Sequence, residues 1–163
     1  MIESSVTQLL EQNNTSFDVI KIPLSEDKKP IRNLEELLQA EGRDPHSVVR
    51  SLLFKTKSGD FVLLAVAGSG RADWATLRKH LSERKLRMAE FDEIEHVTGY
   101  VVGSVPPIAL PDNVRVLVDD SVHSFEKVII GSGVLGYALS LSSTNLISLL
   151  ADADKGMFVK IES

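Results

Sequence analysis

The sequence predicts an α+β fold: a mixed, mostly antiparallel, barrel-like β-sheet with flanking helices. Extended, apolar segments occur in hairpin pairs, helical segments interrupt them at irregular intervals, and no regular βαβ repeat is present. The 163 residues, with 43% hydrophobic and 25% charged side chains, suit one domain spanning residues 1–163. A chain of this length buries roughly two thirds of its unfolded surface, so it needs neither disulfide nor metal to fold.

Each element follows from local chemistry. Val6, Leu9 and Leu10 follow Ser4 and Ser5 at helical spacing, which predicts an amphipathic helix over residues 3–13. Residues 17–22 alternate and are β-branched, as in a strand, and residues 25–30 form a charged loop. Leu34, Leu37 and Leu38 then give a helix after Asn33, closed by Gly42. Residues 48–55 and 61–67 are two apolar strands joined by Lys57-Ser58-Gly59-Asp60, a hairpin expected at the centre of a sheet. Asp73 is the expected N-cap of a helix carrying Trp74, Leu77 and Leu81. A further helix over residues 89–97 stops at Gly99, and residues 99–107 are expected to run from a strand into a loop. Strands at 114–118, 127–130 and 137–141 come next, followed by a helix capped by Ser143 or Thr144 and ending at Leu150. Residues 157–161 make a closing strand.

Composition narrows the chemistry. With no cysteine, disulfides, thiolate nucleophiles and thiolate zinc sites are excluded together. His46, His80, His96 and His123 are scattered without a pair at ligand spacing, so no metal is expected. No serine sits in a nucleophile-elbow pattern, and neither a dinucleotide fingerprint nor a phosphate-binding P-loop is present. The opening residues lack the basic-then-apolar pattern of a signal peptide, and no apolar stretch is long enough to span a bilayer; a cytoplasmic protein is expected. Net charge is −5, yet residues 71–88 alone carry +4, through Arg71, Arg78, Lys79, Arg84, Lys85 and Arg87 against Asp73 and Glu83. Such a cluster is either a solvated helix face or a contact for phosphates. Gly103-Ser104 and Gly131-Ser132-Gly133 are small-residue loops that expose backbone N–H groups; each is a turn or a place where a carbonyl oxygen is held.

The order of segments resembles a known family. The run Ser47-Val48-Val49-Arg50-Ser51-Leu52-Leu53-Phe54 is similar to the first core strand of the YbaK/ProX-type aminoacyl-tRNA editing domains, also called YbaK/prolyl-tRNA synthetase-associated domains. Thr98-Gly99-Tyr100-Val101-Val102-Gly103-Ser104-Val105-Pro106-Pro107 resembles the family's Gly-containing loop. Leu117-Val118-Asp119 looks like its strand ending in an acid, and residues 128–136 like its late Gly-rich strand and turn. The likeness covers roughly residues 45–151.

The resemblance implies a metal-free, cofactor-free deacylase that hydrolyses the ester of mischarged tRNA. Its partner would be the acceptor end of aminoacyl-tRNA, with or without an aminoacyl-tRNA synthetase. By position, Arg50, Gly103 and Ser104 would be catalytic, the last two as backbone donors to the aminoacyl carbonyl. Pro106 would shape the loop, Asp119 would support the site, and Gly131, Ser132 and Gly133 would line the opposite wall. Arg50 stands where the family has a lysine, and arginine cannot lose its proton to act as a base. Lys55, five positions along the same strand, falls on the opposite face. A second reading is therefore a non-catalytic module of the same fold that binds tRNA, a synthetase or an aminoacyl compound.

Overall fold

The computed structural model describes residues 2–27, 29 and 34–160. Helix α1 (Ser5–Gln12) opens with Ser4 as N-cap in a reciprocal capping box with Thr7 and buries Val6 and Leu10. Strand β1 (Phe17–Lys21) follows, then α2 (Leu34–Ala40). The expected start of that helix at Asn33 lies outside the described residues. The apolar hairpin is β2 (Val49–Thr56) and β3 (Phe61–Ala67), paired in register from Val49–Ala67 to Lys55–Phe61. After the short β4 (Arg71–Ala72), Asp73 caps α3 (Trp74–Leu81) by accepting the Thr76 N–H. β5 (Leu86–Met88) and α4 (Phe91–Thr98) precede β6 (Val114–Asp119), β7 (Lys127–Gly131) and β8 (Tyr137–Ser142). The chain ends through α5 (Ser143–Leu149), β9 (Asp154–Gly156) and β10 (Val159–Lys160).

Two main sheets organise these elements, beside a two-stranded β10–β4 pairing. The larger has the order β5-β2-β3-β6-β9, placing the apolar hairpin in its middle as its composition requires. β3–β6 and β6–β9 are parallel; the other pairs are antiparallel. The smaller sheet, β1-β8-β7, touches the larger at a parallel bridge between Val48 and Ile129. One face of the larger sheet packs Val49, Ala65, Ala67 and Val118 against Val128, Ile130, Leu139 and Leu141 of the smaller sheet, closed by Leu10 and Leu146. Further along that face, Leu53 and Leu63 pack under Ile94 and Val97 of α4. The other face carries Phe54, Leu64, Val66 and Leu117 against Leu77 and Phe158, with Trp74 edge-on to Phe54. A central strand buried on both faces explains why β3 is apolar at every position.

Three features depart from the expected elements. Residues 99–107 form no strand: Gly99 ends α4 in the left-handed region (φ 81°), and the Tyr100 hydroxyl then donates to the Ala109 carbonyl at 2.6 Å, folding the segment back as a loop. Pro106 and Pro107 lack the N–H groups a strand would need. The last helix is capped by Ser142, whose hydroxyl accepts the Asn145 N–H. The third is the set of short strands β4, β5 and β9, whose two or three residues carry little strand signal and which form because neighbours offer free backbone edges.

At the β5–α4 junction one carboxylate ties three elements. Glu93 takes Arg87 at 2.7 and 3.0 Å through both guanidinium nitrogens, Lys55 at 3.2 Å, and the Glu90 N–H at 2.9 Å. Arg87 first, then the Glu90 amide and Lys55, hold its pKa at about 2, down from 4.5. A depressed carboxylate pKa stabilises the fold above the unfolded value and loses that contribution as pH falls through the folded one. Acid unfolding of Glu93→Gln should therefore depend less on pH between 4.5 and 2 than that of the wild type, as read by circular dichroism. Identical profiles would show that the ion pairs do not persist in solution.

Candidate functional site

Where the smaller sheet and α4 diverge over the larger sheet, the shared face is left uncovered and a pocket of about 290 Å³ opens. Its floor is β2 at Val49, Arg50, Ser51 and Leu53. Ile129, Ile130 and Gly131 of β7 form one side, and Ile94, Val102, Gly103 and Val105 the other. The lining is mainly apolar, as in sites that bury an organic ligand and fix it with a few polar groups.

Strand alternation decides which polar groups face this space. Ser51 pairs with Ala65 and shares the face of Val49 and Leu53; its hydroxyl is buried and has no hydrogen-bond partner among the described residues. Arg50 pairs with Val66 and shares the opposite face with Phe54. Its guanidinium donates to the Gly70 carbonyl in the turn before β4, while its Nε–H is buried without a partner among the described residues. Arg50 thus lines the pocket at its edge, with its charge held against Gly70. Lys55 leaves on the Ser51 face, as its odd offset from Arg50 requires, but its ammonium is committed to Glu93.

The two small-residue loops meet at the pocket. Gly103 has φ 97°, which suits glycine, and among the described residues its N–H donates to no backbone or side-chain acceptor. The Ser104 amide is instead committed to the Val101 carbonyl at 3.0 Å, and its hydroxyl to the same oxygen at 2.7 Å. Gly131 lies so close to this loop that a Cβ there would stand 2.5 Å from the Val105 oxygen and 2.7 Å from the Ser104 oxygen. Gly133 donates to the Ser104 carbonyl at 2.8 Å and accommodates the Tyr100 ring. Ser132 is wholly buried, its hydroxyl bound to the Val134 and Tyr137 carbonyls, so it knots the β7–β8 turn. Pro106 is buried behind the loop and does not line the pocket.

Asp119 lies elsewhere. It is buried at the end of β6, where it accepts the Phe158 N–H at 2.7 Å and the Ser121 N–H at 2.9 Å. The structure therefore brings together Arg50, Gly103 and Gly131, keeps Ser104, Ser132 and Gly133 as supports of the loop, and places Asp119 outside the pocket. Ser51 had no role assigned from sequence, although its even offset from Val49 and Leu53 put it on the face that became the floor. Among the described residues, no group of three His, Asp or Glu is placed to hold a metal ion, and no helix is long and apolar enough to cross a membrane.

Comparison with known proteins bears on this geometry. The model of the aminoacyl-tRNA editing domain family matches residues 28–149. The proline–tRNA ligase of Kosmotoga olearia is 27% identical over 107 residues, which is 66% of this chain and 18% of that protein. For the enzyme of Thermotoga maritima the identity is 32% over 101 residues, 62% of this chain and 17% of that protein. The chain thus spans less than a fifth of the length of these curated relatives. The hypothetical protein APE2540 superposes with a TM-score of 0.81 at 24% identity, over 96% of this chain and all of that one. A candidate trans-editing enzyme for prolyl tRNA synthetase does so with a TM-score of 0.78 at 22% identity, over 99% of this chain and all of that one. These two likenesses establish the shared fold.

Proposed function

The chain belongs to the aminoacyl-tRNA editing domain family, and from that premise we propose that it hydrolyses the ester of mischarged tRNA in the pocket floored by Ser51. The whole chain would act as one editing unit on the acceptor end in the cytoplasm, alone or beside a synthetase. The observation that carries this reading is the pairing of two unused polar groups in an apolar pocket, the Gly103 N–H and the Ser51 hydroxyl.

Hydrolysis needs a place for the aminoacyl carbonyl and for the charge that grows on its oxygen as water adds. The Gly103 N–H is the donor for that oxygen, and an amide fixed before reaction needs no reorganisation during it. The Ser51 hydroxyl holds the aminoacyl group or the attacking water. Water adds to the carbonyl carbon, the ester C–O bond breaks, and the 3′-terminal ribose oxygen leaves with a proton; free amino acid and tRNA result. Arg50 borders the pocket but sends its guanidinium to Gly70 on the other face of β2, so its part in this reading is to hold β2 and that turn in place. The prolyl relatives make tRNA for proline the first substrate to test.

The engagement of Arg50 by Gly70 favours a second reading, a module that binds the acceptor end without turnover. A panel of radiolabelled aminoacyl-tRNAs separates the two. Release by the wild type, cut about 10- to 100-fold in Arg50→Ala, supports editing; a charge-assisted hydrogen bond is worth about 1.5–3 kcal/mol. Ser51→Ala should lower kcat/KM without lowering Tm, because an unpartnered buried hydroxyl does not stabilise the fold. A wild type that binds yet releases nothing, with activity appearing in Arg50→Lys, would make the natural protein the binder.

A further inference from the structure

At the β5 edge of the larger sheet, beyond the start of α4, the structure has a second cleft of about 520 Å³ that no part of the pocket chemistry uses. It is enclosed by the β2–β3 turn, the last turn of α3 and β5. Apart from Thr56 and Leu86, every residue lining it is a cation: Lys55, Lys57, Arg78, Arg84, Lys85 and Arg87. Six positive charges in one cleft of a chain with net charge −5 is a concentration that local folding does not explain.

The pairing within the cleft divides these cations. Lys55 and Arg87 are held by Glu93, and the acids Glu90 and Asp92 also stand near Arg87. Of the other acids beside the cleft, Glu83 is hydrogen-bonded to the Ser58 hydroxyl and Asp60 closes the β2–β3 turn. The side chains of Lys57, Arg78, Arg84 and Lys85 make no ion pair or hydrogen bond with any described residue. A helix C-terminus favours a cation such as Arg78, but that reason does not extend to Lys57, Arg84 or Lys85, which lie outside the helix. Unpaired cations enclosing a concave surface concentrate their field on whatever polyanion enters.

We propose that this cleft binds the phosphodiester backbone of the tRNA whose 3′ end enters the pocket. The inference rests on the editing reading for its choice of polyanion. Ser51 and Lys55 are four residues apart on one strand face, about 13 Å at strand rise. One RNA strand therefore reaches both, its aminoacyl end in the pocket and its phosphates along Lys57, Arg78, Arg84 and Lys85. Contacts of this kind go to the backbone, so they supply affinity and register with little sequence preference.

The test is binding of uncharged tRNA to the full chain across a range of salt, followed by fluorescence anisotropy. Lys57→Glu/Arg84→Glu/Lys85→Glu should bind at least about tenfold more weakly, and the slope of log affinity against log salt should fall by about three, one per lost phosphate contact. Lys57→Gln/Arg84→Gln/Lys85→Gln serves if charge reversal disturbs folding and should lower the slope equally. Unchanged affinity and slope in a folded variant would overturn the proposal and leave the cleft to another partner, such as an acidic protein surface. Hydrolysis of aminoacyl-adenosine by the wild type keeps the two readings apart. If that ester is cleaved while tRNA binding ignores the substitutions, the cleft fails and editing stands. If tRNA binds through the cleft and no ester is cleaved, editing fails and the cleft stands.

Discussion

Replacing Gly131 by alanine is expected to lower stability by about 3 kcal/mol and the melting temperature by roughly 6–12 °C. The reason is contact and not backbone conformation. The added methyl would stand 2.5 Å from the Val105 oxygen and 2.7 Å from both the Ser104 oxygen and the Val105 carbonyl carbon. None of these atoms ends a flexible side chain, so β7 or the loop at residues 103–105 has to shift as a unit. Both border the pocket, and the Gly103 N–H moves with the loop. The substitution should therefore lower activity per folded molecule as well as stability. Thermal melts followed by circular dichroism, with deacylation assayed well below the melt, measure both. A melt within 2 °C of the wild type would mean that β7 and the loop are further apart in solution.

Asp119→Ala should cost about 3–5 kcal/mol, because two hydrogen bonds to one buried carboxylate are lost together. The N–H groups of Phe158 and Ser121 would remain in a dry setting without acceptors. Phe158 also closes the packing over Leu77 and Phe54, so the defect should spread to the α3 side of the larger sheet. Folded Asp119→Ala should keep its kcat/KM within about twofold, since the carboxylate does not border the pocket; a greater loss at full folding would return Asp119 to the site. Chemical denaturation and deacylation on the same preparation distinguish these outcomes.

The legible parts of the fold were those where one physical signal acted alone. Val6, Leu9 and Leu10 after a serine cap specify α1, and the double-sided apolar content of residues 61–67 specifies a central strand. β9, with the sequence Asp-Lys-Gly, carries no such signal; it pairs with β6 because that strand would otherwise end the sheet. The loop at residues 99–107 misleads in the other direction: Tyr100, Val101 and Val102 have strand propensity, but the left-handed Gly99 and the Tyr100 anchor turn the chain before a partner is met.

The site was legible through segment order and illegible in its details. Gly103 and Gly131, 28 residues apart in sequence, border one pocket, and spacing along the chain cannot tell a glycine that frees an amide from one that permits close packing. Arg50 and Ser51 are neighbours, and only the register of β2 against β3 separates the side chain that faces the pocket from the one that leaves it.

The partner of β1 sets a condition on how the protein is made. Phe17 pairs with Leu141, and the Ser4 hydroxyl donates to the Ser132 carbonyl, so α1 and β1 are completed by segments far downstream of them. At a synthesis rate of about 5–20 residues per second, the 124 residues from Asp18 to Leu141 take about 6–25 s to appear. For that interval α1 and β1 have no sheet to join, while the β2–β3 hairpin, local in sequence, can already form. Ribosome-bound chains truncated before residue 137 should therefore protect the hairpin amides from hydrogen exchange and leave those of residues 17–21 open, and the small sheet should close only once β7 and β8 have emerged.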